Sequence, residues 1–122
     1  MTICRRGLGL VMVAASALLV SCSSGETTIE AGAAPLTIDI RIANGEVSPA
    51  NTRTDARVGQ PIVVRVDSDA ADELHVHSAP PHTFPVTAVP GQEFGFTVAV
   101  PGQVAIELHH LGRTVTTLLI RQ

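Results

Sequence analysis

All five histidines of the chain fall in two short stretches: His75-Val76-His77 with His82 close behind, and Glu107-Leu108-His109-His110. In an extended strand, residues two apart project from the same side, separated by about 7 Å along the strand. Leu74 and Val76 supply an apolar side, so His75 and His77 share the opposite one. By the same parity Glu107 and His109 lie opposite Val104, Ile106 and Leu108, while His110 follows the apolar side or sits in the turn. Neutral imidazole suits Cu(II), Zn(II), Fe or Ni, and a carboxylate adds a hard oxygen donor. His75, His77, Glu107 and His109 therefore make a nitrogen/oxygen metal set if their two strands are neighbours. The competing reading is plain: His-x-His and His-His pairs also serve as polar filler on a solvated strand face, and Glu107 can simply pair with a cation. His82, between Pro81 and Thr83, is the weakest ligand candidate.

Other chemistry has little support. No Gly-x-Ser-x-Gly elbow surrounds a serine, and Ser68 and Ser78 lie in ordinary polar sequence. Acidic residues are scattered rather than paired for general acid/base work. There is no glycine loop to cradle phosphate, and with no Trp or Tyr there is little to stack a sugar or a base. No catalytic residue is assigned, and enzymatic activity is not expected.

The elements that must position the histidines read as strands. Leu36, Ile38, Ile40 and Ile42 alternate with polar residues until Asn44-Gly45. Gly59-Gln60 precedes Ile62, Val64 and Val66, and Leu74 and Val76 restart an apolar face. Pro80-Pro81, Pro85 and Pro90-Gly91 mark 78–92 as mostly loop with at most a short edge strand. Phe94, Phe96, Val98 and Val100 share a face. After Pro101-Gly102 come Val104, Ile106 and Leu108, then a turn at Leu111-Gly112-Arg113 and a last strand over Thr114 to Ile120. Short alternating strands with turn signals between them predict an all-β, antiparallel sandwich or small barrel over 36–122.

Upstream, Arg5-Arg6 precede an uncharged apolar run from Leu8 to Val20, too short to span a bilayer. Leu19-Val20-Ser21-Cys22 follows and looks like a bacterial lipobox. The expectation is a signal peptide over 1–21, lipidation of Cys22 at the cell membrane on the extracytoplasmic face, and a Ser/Gly/Thr/Glu/Ala-rich flexible tether over 22–35. Loss of the signal leaves six Arg and no Lys against eleven Asp and Glu, a net charge of −5. Nucleic acid, which needs a basic face, is excluded as a partner. The partners expected are the membrane, through the lipid, and another envelope protein. With Cys4 removed and Cys22 lipidated, the domain has neither a disulfide nor a free thiolate for a metal.

Val58-Gly59-Gln60-Pro61, Asp72-Glu73-Leu74-His75-Val76-His77, Pro90-Gly91 before Phe94-x-Phe96, and Pro101-Gly102-Gln103 leading to Ile106-Glu107-Leu108-His109 follow one another in order over most of the domain. In that order they resemble the cupredoxin-like domains of actinobacterial lipoproteins and of EfeO-type periplasmic iron-uptake proteins. The resemblance implies a Greek-key sandwich of about seven strands that brings both histidine segments to one end. In blue-copper members the ligands are a His after the middle strands, then Cys, His and usually Met near the C-terminal hairpin. His75 or His77 would stand at the first position and His109 or His110 at the later one. The Cys is missing, Ile106-Glu107-Leu108 occupying its region, and no Met follows Met12. A type 1 copper centre is therefore excluded, because it needs the thiolate. A thiolate-free His/Glu site for copper or iron and a sandwich without metal both remain open.

Overall fold

The computed structural model describes residues 32–122. The expected signal peptide, the expected lipidation site Cys22 and most of the expected tether lie outside the described residues. The strands are β1 (Leu36–Ala43), β2 (Glu46–Ser48), β3 (Thr52–Arg57), β4 (Ile62–Ser68), β5 (Asp72–Val76), β6 (His82–Val86), β7 (Gln92–Phe96), β8 (Gly102–Leu108) and β9 (Arg113–Arg121). One sheet has the order β2-β1-β4-β7 and the other β3-β9-β8-β5-β6. The predicted all-β sandwich is present, with no helix among the described residues.

Alternation decides which face each strand buries. Ile38, Ile40 and Ile42 of β1 and Ile62, Val64 and Val66 of β4 point inward, against Leu74 and Val76 of β5, Val104, Ile106 and Leu108 of β8, and Val115, Leu118 and Ile120 of β9. Covering one such side chain is worth ~1.5–3 kcal/mol. Asn44 and Gly45, with φ of 54° and 75°, make the two-residue turn from β1 to β2. Both take positive φ, as a type I′ hairpin requires.

Three details depart from the sequence reading. The chain crosses between the sheets at most of its connections, so β1 pairs parallel with β4 and β3 parallel with β9, while the remaining pairings are antiparallel. Residues 46–57 supply two strands that apolar alternation did not reveal, because both lie at sheet edges and only Ala56 among them is buried. Val100, expected on the inner face, lies beyond the end of β7 and is 54% exposed, whereas Val98 is buried. The proline-rich stretch does form an edge strand, β6, with Pro85 in it.

At the end where β5 begins, Asp72 occupies an inward position among apolar neighbours, its side chain only 2% exposed. Its Oδ1 accepts from the backbone N–H of Glu73 at 2.7 Å and of His110 at 2.8 Å, and its Oδ2 accepts from that of Leu111 at 3.1 Å. A buried carboxylate survives there because amide donors replace its lost hydration. The tie holds the β8–β9 turn against the start of β5.

Leu118→Ala, at a fully buried site, is expected to cost ~2–5 kcal/mol in urea unfolding, while Val100→Ala stays within about 0.5 kcal/mol. Asp72→Ala is expected to lower stability by ~3 kcal/mol and to speed amide exchange at His110 and Leu111. Equal exchange in both proteins would remove the carboxylate from that role.

Candidate metal-binding face

The four ligand candidates meet on the outer face of the five-stranded sheet. β5 and β8 pair antiparallel with Leu74 opposite Leu108, His75 opposite Glu107 and Val76 opposite Ile106. The ladder continues at both ends, the N–H of His109 donating to the carbonyl of Glu73 and that of His77 to the carbonyl of Ala105, each at 2.9 Å. Leu74, Val76, Ile106 and Leu108 are buried, so Glu73, His75, His77, Glu107 and His109 all project outward. The two segments meet on the outer sheet face, from the Glu73–His109 rung at the end where β5 begins down to His77, because two-residue spacing on a strand runs along its length.

Glu73 is the residue that sequence reading missed. It closed a polar run, yet its parity with His75 and His77 was a usable signal. It faces His109 across the ladder, and Glu107 faces His75, so each of these two rungs sets an acid opposite an imidazole. His75 Nε2 lies 3.2 Å from Glu73 Oε2, and His77 Nε2 lies 3.0 Å from Glu107 Oε2. The His75 and His109 rings stack with centroids 5.0 Å apart, and those of His75 and His77 are 6.3 Å apart.

Glu107 is held from a second side. β9 carries one extra residue at this point: Ile106 pairs with Thr116 but Glu107 with Thr114. The bulge puts both Val115 and Thr116 in the interior and sets the Thr114 hydroxyl beside Glu107, donating to Oε1 at 3.2 Å. Because the bulge lies on β9, the alternation of β5 and β8 is undisturbed. Arg113, Thr114 and Gly112 complete the wall of a shallow cleft of about 300 Å³ over His75, His77, Glu107 and His109.

Among the described residues, no three His, Cys, Asp or Glu side chains converge on one point. The donors approach in pairs. With neither Cys nor Met after Cys22, the donor set does not fit type 1 copper.

The remaining candidates serve the scaffold. His110 lies in the β8–β9 turn, Nδ1 3.9 Å from Asp72 Oδ1. His82 points to the inner side, stacks on Phe84 with centroids 6.0 Å apart and lies tilted against Phe96 at 5.5 Å, and Phe84 stacks on Phe94 at 5.1 Å. That aromatic cluster closes the sandwich between the edge strands β6 and β7. Asp67 and Asp69 accept from the backbone of Gly91 and Asn44 in neighbouring turns.

No protein-family model and no curated protein sequence matches the chain. Solved structures do. Reduced auracyanin from Roseiflexus castenholzii superimposes with a TM-score of 0.53 at 12% identity, over 73% of this chain and 99% of that one. A reduced point mutant of amicyanin gives 0.51 at 11%, over 70% and 82%. A purple cupredoxin from Nitrosopumilus maritimus gives 0.50 at 14%, over 70% and 99%. At such identities the likeness concerns backbone architecture alone, and on that ground the described domain has the cupredoxin-like fold.

Proposed function

We propose that this protein is a membrane-anchored, extracytoplasmic cupredoxin-like module that binds a divalent transition metal, copper(II) or iron, through His75, His77, Glu107 and His109. The observation that carries the reading is the rung at which His75 stands opposite Glu107, with His77 Nε2 3.0 Å from the Glu107 carboxylate. In the structure a hydrogen bond spans that gap. Zinc-like ions hold imidazole nitrogen and carboxylate oxygen at about 2.0–2.2 Å, so two donors at roughly 90–110° on one ion lie about 2.9–3.4 Å apart. The observed separation falls in that range, which an ordinary hydrogen bond shares. The Thr114 hydroxyl on the other oxygen of Glu107 orients the carboxylate, as outer partners of ligands commonly do. The bound ion would act as cargo or as a structural charge.

A second reading has its own support: each of Glu73 and Glu107 already has an imidazole partner, and no three donors converge among the described residues. On that reading the face is a polar network, and the acidic domain works by contact with another envelope protein.

Calorimetric titration of the full chain with Cu(II), Zn(II) and Fe(II), alongside melting curves, separates the two. Metal binding raises the melting temperature, because a ligand that binds only the folded state stabilises it, and His75→Ala/His77→Ala abolishes the heat. Absence of heat and of any melting shift would favour the contact module. For the anchor, Cys22→Ser is expected to move the protein from the membrane to the soluble fraction; unchanged membrane retention would refute lipidation at that residue.

A further inference from the structure

We infer that the end of the sandwich at which residue 36 enters docks on the lipid surface, with Val58 and Val100 resting among the headgroups. The inference rests on the proposed lipid anchor at Cys22 and goes beyond it, because an anchor fixes where the chain is held and leaves open which surface turns to the bilayer. Backbone bonds gather this end from both sheets. The N–H of Leu36 donates to the carbonyl of Pro61, that of Gly59 to Val98 and that of Val58 to Arg121, each at 2.9 Å. The Gln60 side chain donates to the carbonyl of Ala34 at 2.8 Å, which ties the incoming chain to the β3–β4 turn. Among the described residues three large apolar side chains are exposed, and two of them, Val58 and Val100, lie here. Pro80, Pro81 and Pro101 are exposed at the same end, and Val100 and Pro101 share a shallow hollow with Ala79. Val89, the third, sits at the opposite end, where its carbonyl accepts from the N–H of Ser68. Exposed apolar surface gathered in this way marks a contact site.

Charge and chain length select lipid as the occupant. The turns 58–61, 77–81 and 97–101 at this end contain no Asp or Glu. Its cations are Arg57 and Arg121. Arg121 Nε holds Asp55, an acid two residues before the end of β3, at 2.9 Å. Arg57 donates to the carbonyl of Gln122 and forms no ion pair with an acidic side chain among the described residues. The opposite end exposes Glu46, Asp67 and Asp69. An anionic bilayer therefore repels the far end and tolerates this one, within the Debye length over which such forces act. Apolar side chains set into the headgroup boundary add to the attraction in proportion to the area they bury. From Cys22 to Leu36 the chain spans at most about 50 Å even when fully extended. A lipid on Cys22 thus makes docking an intramolecular step at high effective concentration, so a small apolar face is sufficient.

The test uses the full chain with its own anchor, purified from membranes and reconstituted into vesicles of phosphatidylcholine and phosphatidylglycerol. An environment-sensitive nitrobenzoxadiazole probe is attached at Val100→Cys or, at the opposite end, at Glu46→Cys; both positions are exposed, and lipid on Cys22 leaves the new thiol as the one that reacts. The expected result is blue-shifted emission at position 100 that spin-labelled lipid quenches, with water-like, unquenched emission at position 46. Adding Val58→Glu to the Val100→Cys chain should return its emission to the aqueous value while the protein stays on the vesicles. Matching emission from positions 100 and 46 on a vesicle-bound chain would overturn the docking and leave the anchor standing. Shielding of position 100 in native membranes but not on protein-free vesicles would also overturn it, assigning the face to an envelope protein instead. A chain that does not stay with the vesicles would remove anchor and docking together.

Discussion

The antiparallel register of β5 on β8 is the constraint on which everything at the outer face depends, and the core enforces it from behind. Leu74, Val76, Ile106 and Leu108 are all buried. A slip of one residue would turn His75 or Glu107 into the interior, where an unpaired charge or imidazole costs several kcal/mol. A slip of two would keep the parity but break the match of Leu74 with Leu108 and pull the β8–β9 turn away from Asp72. Hydrophobic packing on one side of the sheet thus places acid opposite imidazole on the other.

Alternation along β5 gives two neighbouring acids opposite tasks. Asp72 points inward and commits both oxygens to backbone amides, including those of His110 and Leu111 in the β8–β9 turn. Glu73 points outward and keeps a half-exposed carboxylate beside His75. The start of β5 and the β8–β9 turn are joined by a carboxylate bonded to amides, and buried Leu108 lies beside the join. That end of the sandwich holds itself together with hydrogen bonds, while on the sheet face imidazole meets carboxylate.

Much of this was legible in the residues, and the losses have physical causes. β1, β4, β8 and β9 were readable because a strand with one buried face must alternate, and the parity that put His75, His77, Glu107 and His109 on one side follows from the same rule. β3 was not, since an edge strand buries little: Thr52–Arg57 hides only Ala56. Parallel pairing of β1 with β4 was equally hidden, because periodicity tells which side of a strand is buried and never which strand lies beside it. That gap also kept the meeting of the two histidine segments conditional. Glu73 was missed for a different reason: a carboxylate at the start of a strand looks like the end of a polar loop until the ladder bond from His109 extends the pairing through it.

The geometry of the face also bears on what kind of binder it can be. A structural metal site closes all its positions with protein donors and so contributes folding energy outright. This sandwich has a continuous apolar core and needs no such clamp. On the proposed metal reading, donors that approach only in pairs would leave other coordination positions to water or to a ligand from another molecule, so an ion held there would exchange readily. β1 starts beside Pro61, while β5 begins after β4 has run to the opposite end, so the Glu73–His109 rung lies at the end of the sandwich remote from residue 36. With the chain tethered through Cys22 as proposed, that rung faces away from the anchor. On that reading, open coordination at the remote end would suit passing an ion on better than keeping it.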